Sequence, residues 1–172
     1  DDLDRLATVI RDLLAQGKKF LLFGVSFALI DFAQAYDIDF RGNIVVETGG
    51  MKGRKEEITR EELHDILKKS FHLDTIHSEY GMTELLSQAY SVKNRRFTCS
   101  PWMRVFIRDV NDPSALLEPG RTGAVNIIDL ANMDSCSFIA TDDLGRMHED
   151  GSFEILGRMD NSDLRGCSLL AL

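Results

Sequence analysis

The chain has 172 residues, 44% of them hydrophobic, and a formal net charge of −8, which is enough for one ordinary domain with a core and argues against a disordered chain. The acidic balance speaks against a general affinity for nucleic acid or anionic membranes, so any anionic ligand must be held by a local cationic pocket. Cys99, Cys136 and Cys167 are far apart and form no CxxC pair; this pattern points to neither a disulfide framework nor a zinc cage, and fits a reducing compartment.

The opening DDLDRLATVIRDLLAQGKKF carries acids where a secretory leader would be basic, and no apolar run approaches the ~18 residues of a membrane span, so the chain reads as cytoplasmic. Leu3, Leu6, Val9, Ile10, Leu13 and Leu14 recur at helical spacing, with Gly17 placed to end the helix. KKFLLFGVSF then reads as a buried strand, ALIDFAQAY as a short helix, and NIVVETGG as a second buried strand. After the loop GGMKGRKEE comes ITREELHDILKKSF, a helix in which Thr59 and Glu62 have capping-box spacing and Leu63, Ile66, Leu67 and Phe71 form one stripe. LDTIHSEY is a third strand, leading into a helix at the YGMTE segment.

Continuous apolar strands between helices favour a parallel sheet through about residue 90, with functional loops at the strands' C-terminal ends. Beyond SVKNRRF the texture turns β-rich: WMRVFIRDV, GAVNIIDL, CSFIATDDLGRM and GSFEILGRM are strand-like runs between Asn, Asp, Pro and Gly turns. The expected fold is therefore α/β, a parallel sheet with flanking helices over about 1–90 followed by a β-rich subdomain over about 95–165. The corresponding division is 1–92 and 93–172.

Three constellations carry chemistry, and each has a plain structural alternative. ETGGMKGRK follows a strand and combines glycines with Lys52, Arg54 and Lys55; it reads as a close-approach loop for a ligand or as a solvated turn, and it lacks Walker spacing. In SEYGMTE, Tyr80 offers an aromatic face, Gly81 clearance, Thr83 a hydroxyl and Glu84 a carboxylate for a hard cation. The alternative there is a strand-to-helix turn whose glutamate complements the helix dipole. Asp142 and Asp143 stand at a strand end, HEDGSF makes a hairpin turn, and Arg158 and Asp160 close the next strand; a carboxylate and a guanidinium suit vicinal hydroxyls, although acidic turns are commonly only turns. His77 on its strand reads as packing, while His64 and His148 read as exposed; Cys99 and Cys136, in apolar runs, read as core.

In this order, the glycine loop, YGxTE, TxDL with DGxFxxxGR, and RxDxxxxRG resemble the later motifs of the adenylate-forming enzymes over roughly residues 44–167. GRMDNSDLRGCSLL and CSPWMRVFIRDV are most similar to the acyl-protein synthetase (LuxE) branch, with phenylacetate–CoA ligase-like proteins as neighbours.

The resemblance implies an AMP-forming ligase using ATP and magnesium. Gly49 and Gly50 would wall the adenine, Tyr80 would stack on it with Gly81 giving clearance, Thr83 would contact the α-phosphate, and Glu84 would ligand magnesium. Asp143 and Arg158 would hold the ribose, Asp160 matches a hinge, and Cys167, beside Arg165, would be an acylated thiol or else a small core residue. The implied partners are a carboxylic acid, of the fatty class, and a thiol acceptor, whether the chain's own cysteine, coenzyme A or a partner protein. An acyl-reductase complex or self-association is the implied assembly. Alternatives are an acid–CoA ligase of the phenylacetate type and a non-catalytic nucleotide-binding scaffold.

Departures from the resembled pattern are an unmatched Ser/Thr/Gly-rich phosphate loop in residues 1–48, no lid with its lysine, and TDDL in place of TGDL. Together they predict a partial catalytic domain, the later part of a large domain.

Overall fold

The computed structural model describes residues 2–49, 58–92 and 95–159. They form two compact units, one made of the residues up to Tyr80 with Ser91 and Val92, the other of Gly81–Tyr90 and the residues from Arg95 on. Gly50, Cys167, Asp160, Arg165 and the basic residues of the glycine loop lie outside the described residues.

In the first unit, helix α1 (Leu3–Ala15) starts at Asp2, whose Oδ1 accepts the amide of Arg5. It ends as its sequence predicts: Gly17 adopts φ 65°, and the Lys18 amide turns back to the Leu13 carbonyl. Strand β1 (Leu21–Val25), helix α2 (Ser26–Ala35), strand β2 (Ile44–Thr48), helix α3 (Arg60–Phe71) and strand β3 (His77–Tyr80) follow. Both halves of the Thr59/Glu62 capping box are formed at the start of α3, so two orphan amides are satisfied reciprocally. The order β1-β2-β3 is parallel, with Leu21 opposite Ile44 and Thr48 opposite Glu79.

Helices cover one face of this sheet, where Val45 joins a core that includes Ala7, Ile10, Phe32, Leu67 and Phe71. Phe40 and Phe71 stack at 4.5 Å with ring planes 8° apart, and each fully buried phenyl contributes about 2–3 kcal/mol. β1 departs from expectation: its burial alternates, and Leu21, Phe23 and Val25 are 40–55% exposed. An unbroken apolar run predicts burial on both faces, but among the described residues only the face bearing Leu22 is packed against the core.

The second unit is antiparallel. Ala89 and Tyr90 of β4 (Ala89–Ser91) pair with β5 (Thr98–Cys99). A meander follows, β6 (Met103–Arg108), β7 (Thr122–Asp129), β8 (Phe138–Met147) and β9 (Phe153–Arg158), in the order β6-β7-β8-β9. Gly123 on β7 is required by close approach, since a Cβ there would lie 2.2 Å from the Arg108 carbonyl oxygen. The β8–β9 hairpin closes through the expected HEDGSF turn, with Gly151 at φ 80°.

Two expectations fail in this unit. No helix follows YGMTE; the chain passes through turns from Gly81 to Gln88 and then enters β4. Asp142 and Asp143 lie inside β8, not at its end, because the strand continues to Met147 past a register shift at Leu144/Gly145.

Candidate functional site

In the first unit the parallel ladder brings two candidate residues to neighbouring strand ends. The last matched pair of β2 and β3 is Thr48 with Glu79, linked by a Thr48 hydroxyl bond to Glu79 Oε1 at 3.1 Å. Gly49 and Tyr80 are the next residues on each strand. Gly49 has φ 75°, a backbone state that favours glycine, with nothing within 4 Å of an added Cβ. Tyr80 is 7% exposed.

Behind these strand ends lies a polar cluster that sequence reasoning missed. Glu47, 1% exposed, has Ser26 Oγ at 3.2 Å from Oε2, and Arg60 Nε at 3.2 Å and His64 Nε2 at 3.4 Å from Oε1; Ser78 Oγ lies 3.1 Å from His64 Nε2. Ser26 also bonds the Gly49 carbonyl at 3.2 Å, so the cluster fastens the backbone where the glycine loop begins. Burial pushes the Glu47 carboxyl up, but bonding from His64, the charge of Arg60 and bonding from Ser78 hold it below its ordinary value. His64 is therefore buried, contrary to its expected exposure, because its ring faces the carboxylate. Both serines are fully buried, so this is a support for the loop and offers no accessible nucleophile.

In the second unit Thr83 and Glu84 are exposed, on a turn whose backbone is tied down from far along the chain. Asp129 Oδ2 accepts the amides of Leu86 and Ser87, both at 2.9 Å, and Oδ1 accepts the Ser87 hydroxyl at 2.7 Å and the Ala131 amide at 3.1 Å. Asn132 Nδ2 donates to the Glu84 carbonyl at 2.7 Å and to the Cys136 carbonyl at 3.0 Å. The missing helix is explained by these bonds, since they take amides and a carbonyl that i→i−4 pairing would need. Gly81 is tight for a structural reason: a Cβ would sit 3.2 Å from Gln88 Cγ.

Asp143 and Arg158 stand opposite each other in the β8–β9 ladder, while the Arg158 guanidinium lies 3.8 Å from Asp142. The Asp143 amide donates to Thr141 Oγ1 at 3.1 Å, and that hydroxyl donates to the Val125 carbonyl at 2.9 Å. Arg108 also bonds the Val125 carbonyl, the Asn126 side chain and the Thr141 carbonyl, at 3.0, 2.6 and 2.8 Å. The irregular stretch of β7 between Ala124 and Asn126 is thus satisfied by side chains, and through Thr141 it fixes the backbone that bears Asp143.

Glu47, Asp129, Asn132, Arg108 and Thr141 went unnoticed as supports. A charge inside the apolar runs NIVVETGG and GAVNIIDL was the available signal, because a buried carboxylate must have partners. Cys136, expected in the core, is exposed in the loop before β8; Cys99 is partly buried on β5, and burial raises its thiol pKa, outweighing a backbone bond from Val105 and the charge of Arg104.

A sequence model described as "Acyl-protein synthetase, LuxE" matches residues 3–171. No curated protein sequence matches the chain. Among solved structures, ATP-bound MatB from Rhodopseudomonas palustris is similar with a TM-score of 0.66 at 18% identity, over 92% of this chain and 33% of MatB. O-succinylbenzoate coenzyme A synthetase (MenE) from Bacillus subtilis in complex with AMP gives 0.61 at 17%, over 91% and 34%. The same enzyme with ATP and magnesium gives 0.61 at 14%, over 88% and 34%. The chain thus spans about a third of the length of these structures and shares their fold.

Proposed function

The chain belongs to the acyl-protein synthetase (LuxE) family, and on that premise we propose that the protein containing it activates a carboxylic acid of the fatty class with ATP and passes the acyl group to a thiol. The observation that carries this reading is a turn with a fixed backbone and outward polar side chains: Thr83 and Glu84 are exposed, while Asp129 and Asn132 hold the main chain that presents them.

The chemistry is two displacements. A carboxylate oxygen of the acid attacks the α-phosphorus of ATP, and pyrophosphate leaves; a thiolate then attacks the carbonyl carbon of the acyl-adenylate, and AMP leaves with the bonding pair. Catalysis of the first step is positioning plus stabilisation of negative charge. In the second unit Thr83 is assigned the α-phosphate and Asp143 the ribose hydroxyls, with Arg158 opposite it in the ladder; the family resemblance assigns the base to Tyr80, Gly49 and Gly50. Magnesium, held by Glu84, would offset the phosphate charge. A single carboxylate fits this ion, which keeps waters and substrate phosphates as its other ligands, and among the described residues no group of three acidic, His or Cys side chains forms a metal cage.

Acid-dependent release of pyrophosphate from ATP by the whole protein tests the reading, with Glu84→Gln expected to abolish it. No pyrophosphate release with any acid would count against the reading and leave only a nucleotide-binding scaffold.

A further inference from the structure

We propose that Asp129 and Asn132 are positioning residues for the Thr83–Glu84 turn, acting from the end of β7 and the turn that follows it. The proposal rests on the reading of Thr83 and Glu84 as nucleotide-facing and adds to it the residues that set their backbone.

Asp129 is fully buried, and Asn132 is 7% exposed. Burial pushes the Asp129 carboxyl up, yet the Ser87 hydroxyl and the amides of Ser87, Leu86 and Ala131 more than compensate and hold it ionised. A buried charge is a costly way to close a turn that an apolar side chain could also pack against. What the charge provides is direction: its Oδ2 fixes the amides of Leu86 and Ser87, two and three residues after Glu84, while Asn132 fixes the carbonyl of Glu84 itself.

This segment is itself braced. The Asp129 amide bonds the Ser137 carbonyl at 2.8 Å, the Ser137 hydroxyl bonds the Asn132 carbonyl at 3.3 Å, and the Leu130 amide bonds the Trp102 carbonyl at 2.9 Å. The Glu84–Leu85 peptide and the two that follow it are therefore held by Asp129 and Asn132, and the Thr83 and Glu84 side chains are exposed. A group that must meet a phosphate oxygen or a hydrated cation gains from such support, because small misplacement is costly to electrostatic positioning.

The test uses the full chain and magnesium–ATP as the probe. Asn132→Leu keeps the volume and removes both donor bonds; Asp129→Asn keeps the shape and removes the charge. Each is expected to weaken nucleotide binding about tenfold, and the loss from Asn132→Leu should nearly vanish in a Glu84→Gln background, since it acts through Glu84. Asn132→His, which restores a ring N–H donor, should recover part of the affinity. Wild-type affinity in a folded Asn132→Leu chain, or an equal loss in both backgrounds, overturns the proposal.

Hydrogen exchange in the free chain separates this failure from failure of the nucleotide reading. If the wild type binds no nucleotide, that reading falls, and the positioning claim is decided by the amides of Leu86 and Ser87. Their exchange should rise at least about tenfold in Asp129→Asn while β7 and β8 amides stay protected; unchanged exchange at both amides overturns it. Should Asp129→Asn not fold, Asn132→Leu alone carries the test through the coupling to Glu84.

Discussion

Glu47 Oε1 lies 3.4 Å from His64 Nε2 in a site where the Glu47 side chain is 1% exposed to solvent. With Arg60, Ser26 and Ser78 this pair makes a buried polar knot that ends at the Gly49 carbonyl. Removing the carboxylate strands a cation and the hydroxyls that faced it. Glu47→Ala is expected to cost about 3 kcal/mol and Glu47→Gln about half of that, read as shifts of the urea midpoint; a midpoint unchanged in Glu47→Ala would mean that the knot contributes no stability.

The pH dependence follows from Glu47 and Asp129, both held below their ordinary values in the folded chain. A depressed folded pKa means that the unfolded chain binds protons first on acidification. The stabilisation is fully present above the ordinary carboxylate range near pH ~4 and is lost as pH falls through the lower folded values. Urea midpoints should hold steady from neutral pH to about 5 and drop below about 4, with a smaller drop in Glu47→Gln. A midpoint that rose on acidification would contradict the assignment.

Thr141 joins the irregular stretch of β7 to Asp143 through one hydroxyl. Thr141→Val preserves the shape, removes the donor to the Val125 carbonyl and leaves the Asp143 amide without that acceptor, at a cost of about 1–2 kcal/mol. Because Arg108 still bonds the Val125 carbonyl, β7 and β8 should stay paired, and the loss should concentrate on nucleotide affinity. Chemical denaturation alongside calorimetric binding separates the two effects.

The acceptor thiol is open to a direct assay. If Cys167 carries the acyl group, incubation of the whole protein with ATP and a fatty acid should add the acyl mass to the chain, and Cys167→Ser should remove that adduct while leaving pyrophosphate release. Continued acyl transfer to coenzyme A by the serine variant would instead make the protein an acid–CoA ligase.

Much of the first unit was legible because its determinants are local. The Thr59/Glu62 box, the Gly17 stop and the apolar run of β2 lie within a few residues of the structure they produce. The HEDGSF turn between β8 and β9 was legible for the same reason, but the register shift at Leu144/Gly145 that sets Asp143 opposite Arg158 was not. The turn after Tyr80 was not, because the groups that deny it helical bonds, Asp129 and Asn132, stand more than forty residues away. Likewise, an apolar run such as that of β1 does not say which of its faces finds a partner, and the exposed Cys136 owes its position to a loop that composition disguised as strand.

The central claim is that the later motifs form a nucleotide-binding surface, and calorimetric titration of this chain with ATP and magnesium, set beside a Glu84→Gln/Asp143→Ala double variant, tests it most directly. The account expects heat of binding from the wild type and none from the double variant at equal stability; equal binding by both, or by neither, would contradict it.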